Sequence, residues 1–283
     1  MYVFPSMNIF EHNIIDMHVH IFPPKMFEAV WHYFESFGWT VHHEHVDRIQ
    51  QTLMEYGISM CVGLSYPHKA GVARSLNNFM ESIGKRFPFF RPFASVHPED
   101  DDFRLYVDHA LKSPNLYGFK FQPLVQRFDV NDPRLDYLYM QSIERKFPII
   151  MHIGTGPIAN EFVGIGHFRK LMNRFPELRI CVPHMGAMEY DDFLHMLGDY
   201  PGMYLDTTMI NTKTDLFENT WIGDNDALLR HTDRICFGSD WPNVPYSYQE
   251  ALDSIKRFPL PDESLPDVLY RNAMRFLESK KFS

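Results

Sequence analysis

The sequence predicts an α/β protein, a (β/α)8 barrel, on three observations: a length suited to one large core, eight short apolar runs, and an amphipathic stretch after each. At 283 residues the chain sits within the range in which a single α/β barrel forms, and residues 1–283 read as one domain. Hydrophobic residues make up 45% of it and charged residues 22%, so there is ample material for a core and no signature of disorder.

The apolar runs are, in order, residues 13–22 (NIIDMHVHIF), 59–66 (SMCVGLSY), 90–97 (FRPFASVH), 117–122 (YGFKFQ), 148–154 (PIIMHIG), 179–186 (RICVPHMG), 203–209 (MYLDTTM) and 234–241 (RICFGSDW). Each ends in Gly, Pro or a polar residue, as strands do. Stretches such as VDRIQQTLMEYG, SLNNFMESIGKRF and DDFLHMLGDY place apolar residues three and four apart, the spacing of a helix with one buried face. Buried strands alternating with helices favour a parallel sheet, and eight such units favour closure. Aromatic-Pro lead-ins (RFPFFRP, KFPIIMH, RFPELRICVPH) stop one helix before the next strand begins.

Two connections exceed what a barrel needs: residues 22–46, the long loop after strand one, and residues 209–223 after strand seven. Loops after barrel strands lie on the catalytic face, so both are expected to act as lid or substrate wall. Residues 265–279 read as an extra C-terminal helix closing the barrel.

A net charge of −9 with scattered basic residues argues against phosphate-neutralising surfaces, hence against nucleic acid. Cys61, Cys181 and Cys236 lie inside apolar runs without paired or zinc-finger spacing, so they read as small core residues in a reducing compartment. The first thirteen residues lack a basic start and a cleavage site, and no apolar run approaches spanning length. The expectation is a soluble cytoplasmic protein with a small-molecule substrate and no membrane partner.

Chemistry concentrates at the strand ends. His18 and His20 in DMHVH fall on one side of strand one, because strand side chains alternate with a period of two. An isolated HxH is weak evidence. However, His152 in IIMHIG, His184 in CVPHMG and Asp240 in FGSDWP each fall near the end of another assigned strand, the face that carries barrel active sites. Imidazoles and a carboxylate converging from separate strands suit zinc, manganese or iron.

With these residues in place the sequence resembles the amidohydrolase superfamily of TIM-barrel enzymes. The resemblance is to the amidohydrolase-related branch that contains aminocarboxymuconate-semialdehyde decarboxylase, the resorcylate decarboxylases and uncharacterised metal-dependent hydrolases. It spans nearly the whole chain, from DMHVH to GSDWP and the closing helices. It implies that His18, His20, His152 and Asp240 bind a divalent metal, zinc favoured over manganese or iron and one ion over two. It implies that His184 polarises the reacting group in one-metal members and binds a second metal in two-metal ones, and that such barrels often pair as homodimers.

The mechanism implied is water activation. A bound cation lowers the pKa of its water to about 7 and can polarise a carbonyl. Asp240 would carry the proton from that water to the leaving group, and His184 would support the oxyanion. Lys120 in YGFKFQP is ambiguous. Related two-metal hydrolases bridge their ions with a carboxylated strand-four lysine, whereas the plainer reading is an unmodified lysine beside a carboxylate of protein or substrate.

Phe22, Trp31, Trp39, Tyr66 and Trp241 are candidates for an aromatic substrate wall, with ordinary packing as the alternative. Asp16 shares the parity of His18 and reads as a brace or a further ligand. His97 reads equally as a pocket-lining residue or a turn residue before Pro, and His42, His43 and His45 as solvated or capping residues in preference to a second metal site. Lys25, Lys69, Arg127 and Lys213 lie on loops of the active face, where solvation is the default. Two functions compete: hydrolysis of an amide or lactone C–N or C–O bond, and non-oxidative decarboxylation of an aromatic or unsaturated acid. A silent, metal-stabilised barrel is the third reading.

Overall fold

The computed structural model describes residues 13–278. It contains two runs of parallel pairing. The first joins Ile14–His20, Ile58–Leu64 and Phe90–Pro92; the second joins Ala94–Ser95, Phe119–Phe121, Ile149–Met151, Ile180–Val182, Met203–Asp206 and Ile235–Cys236.

Phe90–Pro92 and Ala94–Ser95 are one strand interrupted at Phe93. The Phe93 amide donates to Gly63 on one side, and the next amide, Ala94, donates to Gly118 on the other. The Phe93 ring lies against Gly118, where an added Cβ would stand 2.2 Å from it, so only glycine fits there. Closure is made by Met17 N donating to Phe237 O (2.9 Å), His20 N to Trp241 O (2.7 Å) and Asp240 N to His18 O (2.8 Å). The eight expected strands thus form a (β/α)8 barrel. Eight helices follow them in turn, from Val46–Glu55 after the first strand to Tyr248–Ile255 after the eighth.

Alternation along the strands separates two apolar layers. Ile15, Met17, Val62, Leu64, Phe93, Ile150, Cys181, Tyr204 and Cys236 fill the barrel, while residues such as Phe119, Phe121, Ile149, Met151, Ile180 and Leu205 pack outward on the helices. Each fully buried Ile, Leu or Phe is worth about 1.5–3 kcal/mol. All three cysteines are free and buried, as expected of small core residues.

Ala273, Phe276 and Leu277 join the interior layer, and the Asn272 amide donates to Thr232 O and Ile235 O at the entry to strand eight. The C-terminal segment therefore closes the floor. It is not one continuous helix. A π-helical turn, Asp267–Arg271, precedes the α-helix Asn272–Leu277, and the expected end at Ser279 lies outside the described residues.

The connection 22–46 also differs from expectation, because it contains a twelve-residue helix, Pro24–Glu35, opened by Pro at its first position. Its Trp31 stacks on Phe27 and His43, which hides the helical face among aromatics. Among the described residues, no helix is long and apolar enough to cross a membrane.

Candidate metal centre

Strand one sets the site, and it does so with a break in its alternation. Its pairing with the second strand shifts register between Asp16 and Val19. Ile15 and Met17 lie in the interior layer, Val19 in the outer one. The irregularity turns His18 and His20 toward the mouth and separates them from Asp16, which simple parity had placed beside them.

Asp16 instead accepts from His18 N (3.0 Å), Ser239 N (3.1 Å), the Ser239 hydroxyl and the Tyr248 hydroxyl (2.8 Å). It braces strand one to strand eight and to the last barrel helix. Complete burial raises its pKa to about 7, against the pull of those donors.

Opposite strand one, His184 and Asp240 sit just past strands six and eight with φ of 55° and 62°, the left-handed region. Non-glycine residues there are uncommon and cluster at functional sites. Between them Gly238 permits a close approach: a Cβ would fall 2.4 Å from Thr208 Oγ1 and 3.0 Å from His18 Cβ.

The result is a convergence of donors. Asp240 Oδ1 lies 2.7 Å from His20 Nε2 and 3.4 Å from His18 Nε2, and Asp240 Oδ2 lies 3.9 Å from His184 Nε2. Ligand atoms of His18, His20 and Asp240 all fall within 4.8 Å of one another, the one such group of three or more among the described residues. His152 stands one step away, its ring centroid 4.7 Å from that of His184, and so adjoins the group rather than belonging to it.

Burial drives the pKa of His18, His152 and His184 down, helped at His18 by the charge of Lys120. Burial pushes Asp240 up, but the facing imidazoles of His18 and His20 outweigh it and hold the carboxyl well below its usual range. Neutral imidazoles beside a carboxylate are the protonation states that a divalent cation requires. His20 Nδ1, His184 Nε2 and Lys120 Nζ are buried without a hydrogen-bond partner among the described residues. The donor set therefore fits a metal ion.

Lys120 is fully buried and lies on the interior side of strand four, since Phe119 and Phe121 pack outward. Burial lowers its pKa to about 8, while the Asp240 and Asp206 carboxylates support its charge.

The aromatic candidates divide. Phe22 stacks on His20 (interplanar 8°) and Tyr66 meets both rings edge-on. Phe22 is completely buried, so it backs the ligand and offers no surface to a substrate. Trp241 is held by the long connection after strand one, donating to Glu44 (2.9 Å) with His42 stacked upon it, and Trp31 packs on Phe27, His43 and His45. Trp39 stacks on Phe217, joining the two long connections. His42, His43 and His45 thus serve loop packing. Arg127 pairs with Glu161 and Lys213 with Glu218, whereas Lys25 and Lys69 are exposed. His97 holds a turn, its Nδ1 facing the Glu99 amide.

Asp206 was not anticipated. It is fully buried at the end of strand seven, its Oδ2 3.1 Å from His18 Nδ1 and its Oδ1 accepting from the amides of His184 (2.9 Å) and Thr208 (3.1 Å). The available signal was parity: Asp206 lies two residues beyond the interior Tyr204 in MYLDTT.

Comparison with known proteins agrees with the fold. The family model described as "Amidohydrolase" matches residues 15–278, and the chain belongs to the amidohydrolase family. No curated protein matches it. Among solved structures, it is similar to an uncharacterised TIM-barrel protein from Bordetella bronchiseptica (18% identity, TM-score 0.73, covering 94% of this chain and 99% of that one). It is also similar to 2,6-dihydroxybenzoate decarboxylase from Rhizobium (15%, TM-score 0.71, 94% and 99%). A third is a dihydroxybenzoic acid decarboxylase from Polaromonas with bound manganese and the inhibitor 2-nitroresorcinol (16%, TM-score 0.69, 94% and 97%). The resemblance read from the sequence is thereby confirmed at the level of family and fold.

Proposed function

We propose that the chain is a divalent-metal-dependent carboxy-lyase that removes carbon dioxide, without oxidation, from an aromatic or unsaturated carboxylic acid. The observation that carries the reading is the convergence of His18, His20 and Asp240 at one barrel mouth, with burial favouring the neutral imidazole of His18 and with Asp240 held ionised. Two decarboxylases among the structural neighbours support it, one of them with manganese and a resorcinol inhibitor.

When bound, a divalent cation supplies Lewis acidity that polarises a substrate oxygen. His18, His20 and Asp240 would hold a single ion, with His152 as the adjoining fourth ligand. Zinc and manganese both suit this donor set. In the reaction the bond to the carboxylate breaks, its electron pair stays on the substrate carbon, and a proton arrives there as carbon dioxide leaves. Asp240 and His184, 3.9 Å apart, are the groups placed to hold and pass that proton. Lys120, unmodified in this reading, keeps its charge with the help of the Asp240 and Asp206 carboxylates.

Hydrolysis of an amide or lactone is the second reading, favoured by the carboxylate state of Asp240, which lets it accept a proton from water. Isotope labelling separates the two. Carboxyl-13C hydroxybenzoates and unsaturated acids should yield 13C carbon dioxide in the presence of manganese or zinc. If the acids stay intact while lactones or amides take up 18O from labelled water, the lyase reading is wrong.

A further inference from the structure

We infer that Asp206 is a positioning residue for the metal centre: it fixes the tautomer of His18 and the place of His184 from a single carboxylate. The inference rests on the metal-binding part of the function proposed above.

A ligating imidazole must present a lone pair, and which nitrogen does so is decided by the hydrogen bond at the other. His18 offers Nε2 to the site, 3.4 Å from Asp240 Oδ1, and Nδ1 to Asp206 Oδ2 at 3.1 Å. Asp206 Oδ1 is taken by two backbone amides and Oδ2 faces Nδ1 as an acceptor, so the proton belongs on Nδ1 and the Nε2 lone pair faces the place of the cation. Thr208 Oγ1, at 3.4 Å from the same nitrogen, is a weaker neighbour.

The second oxygen acts at a distance along the chain. Asp206 Oδ1 accepts the backbone N–H of His184, a residue in the left-handed conformation, together with that of Thr208. Asp206 therefore links strand seven to strand one by a side chain and to the turn after strand six by a backbone. Gly238 keeps room for the arrangement, since a Cβ there would approach Asp206 Cγ to 3.3 Å and press harder on Thr208 and His18.

The discriminating variant is Asp206→Asn. Its Oδ1 still accepts from His184 and Thr208, but an NH2 now faces His18 Nδ1 and demands a lone pair there, which moves the imidazole proton to Nε2 and blocks ligation. The experiment is histidine 15N NMR on the metal-free full-length chain, with His18 assigned by a His18→Gln variant, alongside competition titrations with Mn2+ and Zn2+.

The expected result is an Nδ1–H tautomer at His18 in the unaltered chain, an Nε2–H tautomer in Asp206→Asn, and a 10- to 100-fold loss of metal affinity, of the order reported for outer-shell partners. An Nε2–H tautomer in the unaltered chain, or Asp206→Asn binding both metals as tightly, overturns the inference. Should Asp206→Asn not fold, the spectrum of the unaltered chain decides. Should the unaltered chain bind neither metal, the functional reading fails while the tautomer result still judges Asp206.

Discussion

Two aspartates near the junction of strands one and eight, one fully buried and one partly exposed at the mouth, meet opposite fates. Asp16, at the brace, collects four donors from its own chain, and complete burial lifts its pKa to about 7. Asp240, at the mouth, faces the ring nitrogens of three histidines, and those imidazoles keep it ionised despite its burial. A carboxylate whose oxygens are filled by fixed donors holds the fold together. One that faces the ring nitrogens of histidines in place of fixed backbone and hydroxyl donors is available for a ligand.

The comparison predicts that the two sites separate under mutation. The largest effect is expected at the mouth: Asp240→Asn should lower turnover by about 10²–10⁴-fold, the range for losing a proton-transferring group. Melting of the metal-free chain should move little, and a large fall would place Asp240 with the structural group. At the brace, Asp16→Asn turns an acceptor into a donor against buried hydroxyl and amide groups. It should cost about 2–4 kcal/mol, as one or two buried donors lose their partners. Urea unfolding measures this, and an unchanged midpoint would show that the brace is dispensable.

A smaller loss, about 1 kcal/mol, follows from Tyr248→Phe, which removes one neutral donor to Asp16 and should leave metal affinity within a few-fold. Reduced affinity without reduced stability would mean that the brace also positions ligands.

The smallest effect is a control distant from both sites. Glu81 accepts from Ser113 (2.6 Å) and His109 (2.9 Å). Burial pushes its carboxyl up, but these hydrogen bonds outweigh it and hold the pKa below 4.5. The stabilisation is thus complete above pH 4.5 and fades as pH falls through the folded value. The stability gap between Glu81→Gln and the unaltered chain should accordingly narrow in acid. A gap that widens there would reverse the sign of the shift.

What could be read from the sequence follows from how local each signal is. Strand-end His18, His20, His152, His184 and Asp240 were legible because they close short apolar runs, and a barrel gathers strand ends whatever its loops do. Lys120 was legible because a period of two holds through Phe119–Phe121. Asp16 was legible as a brace, the role its four donors give it, but its separation from His18 and His20 was not, because the shift between Asp16 and Val19 reverses parity inside the strand and a bulge leaves no mark in an apolar run. The helix Pro24–Glu35 was missed because its aromatics looked like loop ornament, although they pack it to His43 and His45. Asp206 was overlooked because its role depends on His18, 188 residues away in sequence, and on an amide at His184.

The most direct test counts ions. The full-length chain, stripped of metal and titrated with Mn2+ or Zn2+, should bind one divalent ion per chain, and substituting His20 and Asp240 together with Ala and Asn should abolish that binding in a folded protein. An unaltered chain that takes up neither ion, or a double variant that binds as before, would contradict the assignment of His18, His20 and Asp240 as the metal centre.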